Sequence, residues 1–396
     1  MSSARRGRIT AWFALVSALT SAAAADDFDT SLGVTLGAGA PRALAASSGL
    51  DARASGLSRV DLPAHPAPSY RMKLAAPIPF APAADEKGAL VVAHGGGKLT
   101  ELDARGRPTW TLRVGPDAAA TGPLIGNDGL RWLVTLGGEV AGITAEGRLR
   151  FKKPLSGFGS LEGALAVPLS TGGLALSSGN RLSVLDRDGN MLWLSRSEEP
   201  TRALLEQGGE LLAVMADGKV LRRGAEGQLS PLGDLGGRVD SAALVPGADE
   251  LVAIVSQREL VLLELASGKR RVLLAEPTLV LSNALAAGSG GALRVLAQGG
   301  LLIGLSKQGQ EAFRAPLSSS MLGFGASPPA PLIDGRGYSA VNLPDAGLAL
   351  VSPTGEIELV PGSACPEPLR PTPIGPRALV LSCRSGLVFA LSGRAP

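Results

Sequence analysis

Apolar and polar residues alternate along most of this chain in short runs, each broken by a polar turn. "LTELDARGRPTW" (99–110) is a clear instance: an alternating apolar run, a turn with a glycine, then a second run ending in a large apolar residue. The same unit recurs as "VAGITAEGRLRF" (140–151), "RLSVLDRDGNMLW" (181–193), "LIGLSKQGQEAF" (302–313) and "LALVSPTGEIEL" (348–359). Weaker copies are "KVLRRGAEGQLS" (219–230) and "LVLLELASGKRRV" (260–272). Alternation at period two puts every second side chain on one face of a β-strand. Each unit therefore predicts a hairpin of two strands.

The turn glycines are Gly106, Gly147, Gly189, Gly227, Gly268, Gly309 and Gly355, separated by 41, 42, 38, 41, 41 and 46 residues. A last copy, "LVFALSGRAP", puts Gly393 a further 38 residues on. That interval is the length of a four-stranded propeller blade. The remainder of a repeat supplies the other two strands, as in "GALAVPLSTGGLALSSGN" (163–180). Runs apolar on both faces, such as "ELVLLEL" (259–265), suit blades that pack on a neighbour at each side.

The last repeat stops before its outer strand, while "SYRMKLAAP" (69–77) precedes the first complete repeat and resembles such a strand. The expected fold is all-β: an eight-bladed β-propeller of four-stranded antiparallel blades over residues 69–394, its last blade closed by the N-terminal strand. Closure of this kind removes two exposed sheet edges.

Composition agrees with strands and turns. Hydrophobic residues are 45% and aromatics 4% of 396, so the core must be built from Leu, Val, Ala and Ile, and 53 glycines with 29 prolines weigh against helices. Residues 1–25 read as a cleaved signal peptide: Arg5, Arg6 and Arg8, an apolar stretch from Ile9 to Ala18, then small residues at Ala23–Ala25. The stretch is too short for a membrane span, which needs about 20 apolar residues. Arg5–Arg6 has flanks that fit the twin-arginine route poorly, which favours the general secretory one. Residues 26–68, rich in Ala, Ser, Gly and Pro, read as a flexible leader.

Charge changes the picture once the signal is set aside. Removing its three arginines leaves 35 basic against 35 acidic residues, so nucleic-acid binding has no electrostatic support. In an exported chain, Cys365 and Cys383 read as one disulfide clasp, the alternative being two separately buried thiols.

Chemistry is sparse. Asp186, Asp188 and Asn190 flank Gly189 as in the start of a calcium loop. Other copies of that slot keep the glycine and lose the oxygen ligands, so the slot demands a turn. The two histidines, His65 and His94, form no metal motif and read as solvated. No Gly-x-Ser-x-Gly elbow or Gly-Lys-Ser/Thr phosphate loop occurs, and "GSGG" (288–291) reads as a turn. Asp85–Glu86 and Glu198–Glu199 are carboxylate pairs at predicted loops, with a sugar-cleaving site as their sharper reading. Met321, Leu322 and Phe324, in the longest extra segment (316–331), are a candidate partner patch, the alternative being packing beneath the loop.

"LVVAHGGGKLTELDARGRPTW" (90–110) and "LALSSGNRLSVLDRDGNMLW" (174–193) carry an apolar strand, "LDxxG", then a tryptophan. They resemble the quinoprotein-type (PQQ-like) β-propeller repeat family. The eight-bladed form within it also resembles the propeller lipoprotein of the outer-membrane β-barrel assembly machine. Quinoprotein dehydrogenases would imply a calcium-held cofactor, stacking aromatics and adjacent cysteines. Here the cysteines stand 18 apart, and the tryptophans after the signal, Trp110, Trp132 and Trp193, fall at or near repeat positions and read as blade packing. The lipoprotein would imply an acylated cysteine after the signal, which this chain lacks. The resulting expectation is a periplasmic or secreted, monomeric, non-enzymatic scaffold without cofactor, catalytic or metal residues, binding an envelope protein. The alternatives are a propeller that binds a small ligand or cofactor, a degenerate quinoprotein included, and a sugar-active enzyme.

Overall fold

The turn slot shows why the repeat folds as it does. Asp103 opens a tight turn: its Oδ1 accepts the N–H groups of Arg105 and Arg107, each at 2.9 Å, and its carbonyl accepts the Gly106 N–H at 2.8 Å. Thr144, Ser306 and Ser352 open the equivalent turns, their carbonyls accepting the N–H of Gly147, Gly309 and Gly355. A short oxygen-bearing side chain followed by a left-handed glycine is the chemistry of such hairpins.

A computed structural model describes residues 43–45, 56–224, 227–317, 329–344, 346–363, 365 and 367–393. Over these residues the hairpins assemble into eight antiparallel sheets arranged as the blades of a propeller. Blade 1 consists of Ala83–Asp85, Leu90–His94, Lys98–Leu102 and Pro108–Arg113, from the inner to the outer strand. Blades 2 to 7 repeat this order over residues 124–154, 165–196, 201–234, 239–275, 281–316 and 332–360. Blade 8 takes three strands, Thr372–Gly375, Ala378–Ser382 and Leu387–Ser392, and its outer strand is Ala67–Lys73. Turns from inner to second and from third to outer strands lie on one face of the ring. Turns from second to third strands, and the crossings between blades, lie on the other.

Second strands such as Leu90–His94 and Leu174–Ser178 are buried along their whole length, because both sheet faces meet neighbours. Blade-to-blade packing at the rim depends on one recurring contact. In blade 1, Leu102 pairs with Pro108 and Glu101 with Trp110, so Thr109 is bulged out of register. The bulge turns Trp110 towards blade 2, where a Cβ on Gly147 would lie 2.5 Å from the indole. Phe151 meets Gly189, Trp193 meets Gly227 and Phe313 meets Gly355 in the same way, each aromatic following a bulge. Tyr70, after the bulge at Ser69, carries the contact from blade 8 to Gly106 of blade 1. Blades 4 and 5 lack the aromatic and their bulges fall later, at Leu232 and Leu273. There the strand backbone comes in instead: the Leu273 carbonyl would stand 2.9 Å from a Cβ on Gly309, and that of Leu232 3.3 Å from one on Gly268.

Ring closure follows the expected plan, with Tyr70, Arg71, Met72 and Lys73 paired to Ala390, Phe389, Val388 and Leu387. Two expectations change. Gly393 forms no turn: it follows the third strand of blade 8, lies outside the left-handed region, and donates its N–H to the Arg377 carbonyl at 2.8 Å. The reason is covalent, since the outer strand here comes from the other end of the chain. The stretch 26–68 also does more than lead in. Ala43–Ala45 adds a fifth strand at the inner edge of blade 1, and Leu57 bridges Ile333 at the inner strand of blade 7. Leu62 is buried, its N–H on Asp334 Oδ2 at 3.0 Å and its carbonyl accepting from Arg336 at 3.0 Å. The signal region 1–25 lies outside the described residues.

Gly163 and Gly189 share a left-handed backbone, with φ of 69° and 74°, but only Gly189 meets a ring; the space at Gly163 is open. Gly163→Ala should therefore cost roughly 1 kcal/mol, the backbone penalty alone. Gly189→Ala should cost on the order of 3 kcal/mol, because Phe151 must also move. Urea unfolding of the two variants measures the difference.

Candidate interaction surface

The calcium-like turn is held by groups of the protein itself. Asp186 Oδ1 accepts the N–H groups of Asp188 at 2.9 Å and Asn190 at 2.8 Å, and Oδ2 accepts from the Asn190 side chain at 2.8 Å. Asp188 pairs with Arg150 of blade 2 at 2.6 Å, and Asn190 Oδ1 accepts from Lys153 at 2.5 Å. Two side-chain cations from the preceding blade thus stand at this acidic turn and tie blades 2 and 3 together. Among the described residues no cluster of three His, Cys, Asp or Glu side chains could hold a metal. Burial pushes the Asp186 carboxyl up, but the bonds from Asn190 and Asp188 and the Lys153 charge outweigh it, and its pKa falls below 3.8. Bonds from Arg107, backbone then side chain, hold Asp103 below 3.8 as well.

The remaining candidate groups are built into packing. His94 is buried rather than solvated, at 8% exposure, with Nε2 2.8 Å from Thr100 Oγ1. It lies within the second strand of blade 1 and not in the turn after it. Burial, then the charge of Lys98, lowers its pKa and favours the neutral ring. His65 is exposed and pairs with Glu358 at 3.0 Å. Trp132 is fully buried, edge-to-face on Phe151 at 5.3 Å. Asp85 and Glu101 both bind Arg131, at 3.1 and 2.7 Å, as a buried tie between blades 1 and 2. Glu198 stands exposed, 3.7 Å from Lys219. "GSGG" is the turn between the inner and second strands of blade 6. Cys365 and Cys383 form a disulfide. Met321, Leu322 and Phe324 lie outside the described residues.

The chain packs against the inner strands of blades 6 and 7, where Leu57 bridges Ile333. Gly56 is wedged there: a Cβ on it would lie 2.5 Å from Arg370 Nη2 and 3.0 Å from both Ala286 and the Pro331 carbonyl. Arg370 itself reaches the carbonyls of Ala330, Pro331 and Leu285 at 3.3, 3.1 and 3.4 Å.

The outer rim is where the blades differ. An unpaired outer strand exposes a row of backbone donors and acceptors, and proteins blunt such edges with proline, charge or brevity. Blades 1, 2, 4, 6 and 8 carry Pro108, Pro154, Pro231, Pro316 and Pro68 in that strand, and blade 5 carries Arg270 and Arg271. Blade 7 has four residues there, one of them Glu358, bonded to His65. Blade 3 is the least guarded: Met191–Arg196 is six residues long, has no proline, and carries only Arg196 at its end and the bulge at Leu192. Leu192 is 66% exposed and Leu194 42%. Beside this strand, between blades 3 and 4, is a groove of about 230 Å³ lined by Ser197, Glu198, Met215, Lys219, Leu221 and Leu229. That is less than the roughly 300 Å³ at which cofactor-sized sites begin. Sequence reading missed this edge. The signal lay in comparing outer strands across repeats for gatekeeping residues rather than for shared ones.

A family model described as outer membrane protein assembly factor BamB matches residues 49–288. No curated protein matches the sequence. Among solved structures, BamB from Moraxella catarrhalis is 17% identical with a TM-score of 0.62, over 84% of this chain and 99% of that one. The computationally designed Ika8 protein is 14% identical with a TM-score of 0.64, over 81% and 97%. Sqt1 from Saccharomyces cerevisiae is 10% identical with a TM-score of 0.67, over 83% and 99%. At these identities the likenesses establish the fold. A ring that a designed sequence also adopts does not by itself indicate an activity.

The lowered carboxyls set the acid behaviour of the turns. Each contributes stability that is present above its unfolded pKa of about 3.9 and is lost as pH falls through the lower folded value. The double variant Asp103→Asn, Asp186→Asn should show a shallower loss of stability with falling pH below about pH 4. Denaturant unfolding across that range measures the slope.

Proposed function

The chain belongs to the BamB family of outer membrane protein assembly factors, and from that membership we propose that it is an exported, non-enzymatic docking scaffold of the cell envelope. The observation that carries the reading is the outer strand of blade 3. A lightly guarded edge with Leu192 and Leu194 exposed suits an extended segment of a partner protein, which would add to the sheet through backbone bonds. Alternate apolar side chains of that segment would meet the two leucines, and the groove by Ser197 and Lys219 would take its polar end.

Export is supported by the signal-like residues 1–25, and an oxidising compartment by the Cys365–Cys383 disulfide. No helix among the described residues is long and apolar enough to cross a membrane. A scaffold needs no converging catalytic groups, and Asp85, Glu101, Asp186, Asp188, His94 and the three tryptophans are engaged in turns, packing or ties of the blades, while Glu198 and His65 stand exposed. The alternative readings, a ligand or cofactor in the channel and a sugar-active site, have no comparable support. Gly56, Leu57 and Arg370 pack at the inner strands of blades 6 and 7, and the candidate carboxylate Asp85 is tied to Arg131.

The double variant Leu192→Arg, Leu194→Arg should reduce cross-linking of envelope proteins to the scaffold at least about tenfold in the exporting cell. Folding stability should change by no more than about 0.5 kcal/mol for each exposed position. Capture that is unaffected by the double variant, with the fold intact, would rule out blade 3 as the docking edge.

A further inference from the structure

The hairpin Cys383–Gly386, between the second and third strands of blade 8, is gripped from two sides. On one side Cys383 is bonded to Cys365, in the crossing that arrives from blade 7. The same crossing is bonded to the blade through Leu369 N–H to the Ser382 carbonyl and Arg384 N–H to the Glu367 carbonyl, each at 2.9 Å. On the other side the hairpin receives the N-terminal segment. Leu74 donates its N–H to the Gly386 carbonyl and Ile78 donates to the Arg384 carbonyl, both at 2.9 Å, and Lys73 Nζ donates to the Ser385 carbonyl. The fit is close: a Cβ on Gly386 would lie 2.6 Å from the Ala76 carbonyl and 3.1 Å from that of Leu74.

This hairpin is also where ring closure is decided. The outer strand Ala67–Lys73 is the only strand of blade 8 not continuous in sequence with the other three. It is held by its pairing with Leu387–Ser392, which begins one residue after Gly386, and by the bonds from Leu74 and Ile78. The disulfide therefore acts on the receiving side of the closure, the hairpin to which Leu74 and Ile78 are bonded.

We infer that the Cys365–Cys383 disulfide is a redox latch on ring closure: once formed, it holds the 383–386 hairpin in the position that receives the N-terminal strand. As thiols, the two cysteines leave the hairpin held to the crossing only by non-covalent contacts such as the Leu369–Ser382 and Arg384–Glu367 backbone bonds, and the strand docks less firmly. Formation removes two protons and two electrons from the thiol pair. The electrons pass to a disulfide oxidant by thiol–disulfide exchange, and that oxidant leaves as two thiols. Both cysteines are fully buried in the closed ring, so the latch is set while the blade is still open and is shielded afterwards. The device suits a chain made in a reducing compartment and closed in an oxidising one.

The test is amide hydrogen exchange on the full chain after signal removal. It compares the oxidised protein, the same protein reduced with dithiothreitol under mild denaturant, and the variant Cys365→Ala, Cys383→Ala. The inference expects roughly tenfold or faster exchange at Leu74, Ile78 and residues 70–73 in both thiol-free and reduced forms, with the second strands of blades 3 and 5 unchanged. Burial of Trp132, read by fluorescence, reports whether the rest of the ring stays folded. Unchanged exchange at Leu74 and Ile78 would overturn the latch. Equal acceleration across all blades, as in general unfolding, would overturn it as well, since the disulfide would then be a staple of the whole fold.

Discussion

The ring stands on the contact between the outer strand of one blade and the turn glycine of the next. Five of these contacts are made by an aromatic side chain: Tyr70, Trp110, Phe151, Trp193 and Phe313. Each needs two local irregularities at once, a bulge that aims the ring out of its own sheet and a glycine that leaves room for it. A bulge alone would weaken its strand pair, while the left-handed glycine, which the turn needs in any case, also leaves the space that the bulged aromatic fills. Together they let flat, twisted sheets meet at the rim with ring-to-backbone packing. Around this contact the ion ties, Arg131 with Glu101 and Asp85, or Arg150 with Asp188, are additions that fix neighbouring blades in register.

Much of this could be read in the chain. The glycine interval, the alternating runs and the truncated last copy led to eight four-stranded blades and to closure by an N-terminal strand. The glycine and the aromatic four residues after it, such as Gly106 and Trp110, were visible as a shared pair within one repeat. Their physical pairing is between repeats, Trp110 with Gly147, and no spacing within a repeat could reveal it. Bulges are equally silent: Thr109, Arg150 and Ala312 have nothing in common that marks a residue to be pushed out of register. Gly393 misled for the opposite reason, since it kept the motif without the strand that would have made it a turn.

The candidate surface was less legible because exposure is a property of the assembled ring. Leu192 and Leu194 read as part of an apolar strand around Trp193, and only the packing shows that Trp193 turns inward while the leucines stay outside. His94 shows the same limit in reverse: followed by three glycines, it read as solvated, yet it ends a strand buried along its whole length. The Ala- and Pro-rich stretch before the ring has no alternation to read. Its role at Leu57 and Leu62 depends on partners nearly 280 residues away, Ile333 and Asp334.

Closure by Ala67–Lys73 also imposes an order in time. Each outer strand is made before the turn it will pack against, so no blade reaches its final packing until the following one has been synthesised. The outer strand Ala67–Lys73 waits longest, because its partner, Leu387–Ser392, is the last of the described strands in chain order. During that interval the strand offers an unpaired edge while the other seven blades assemble, and bringing the two ends together carries the largest loop-closure cost in the chain. A protein built this way is finished all at once, at its last strand, rather than blade by blade.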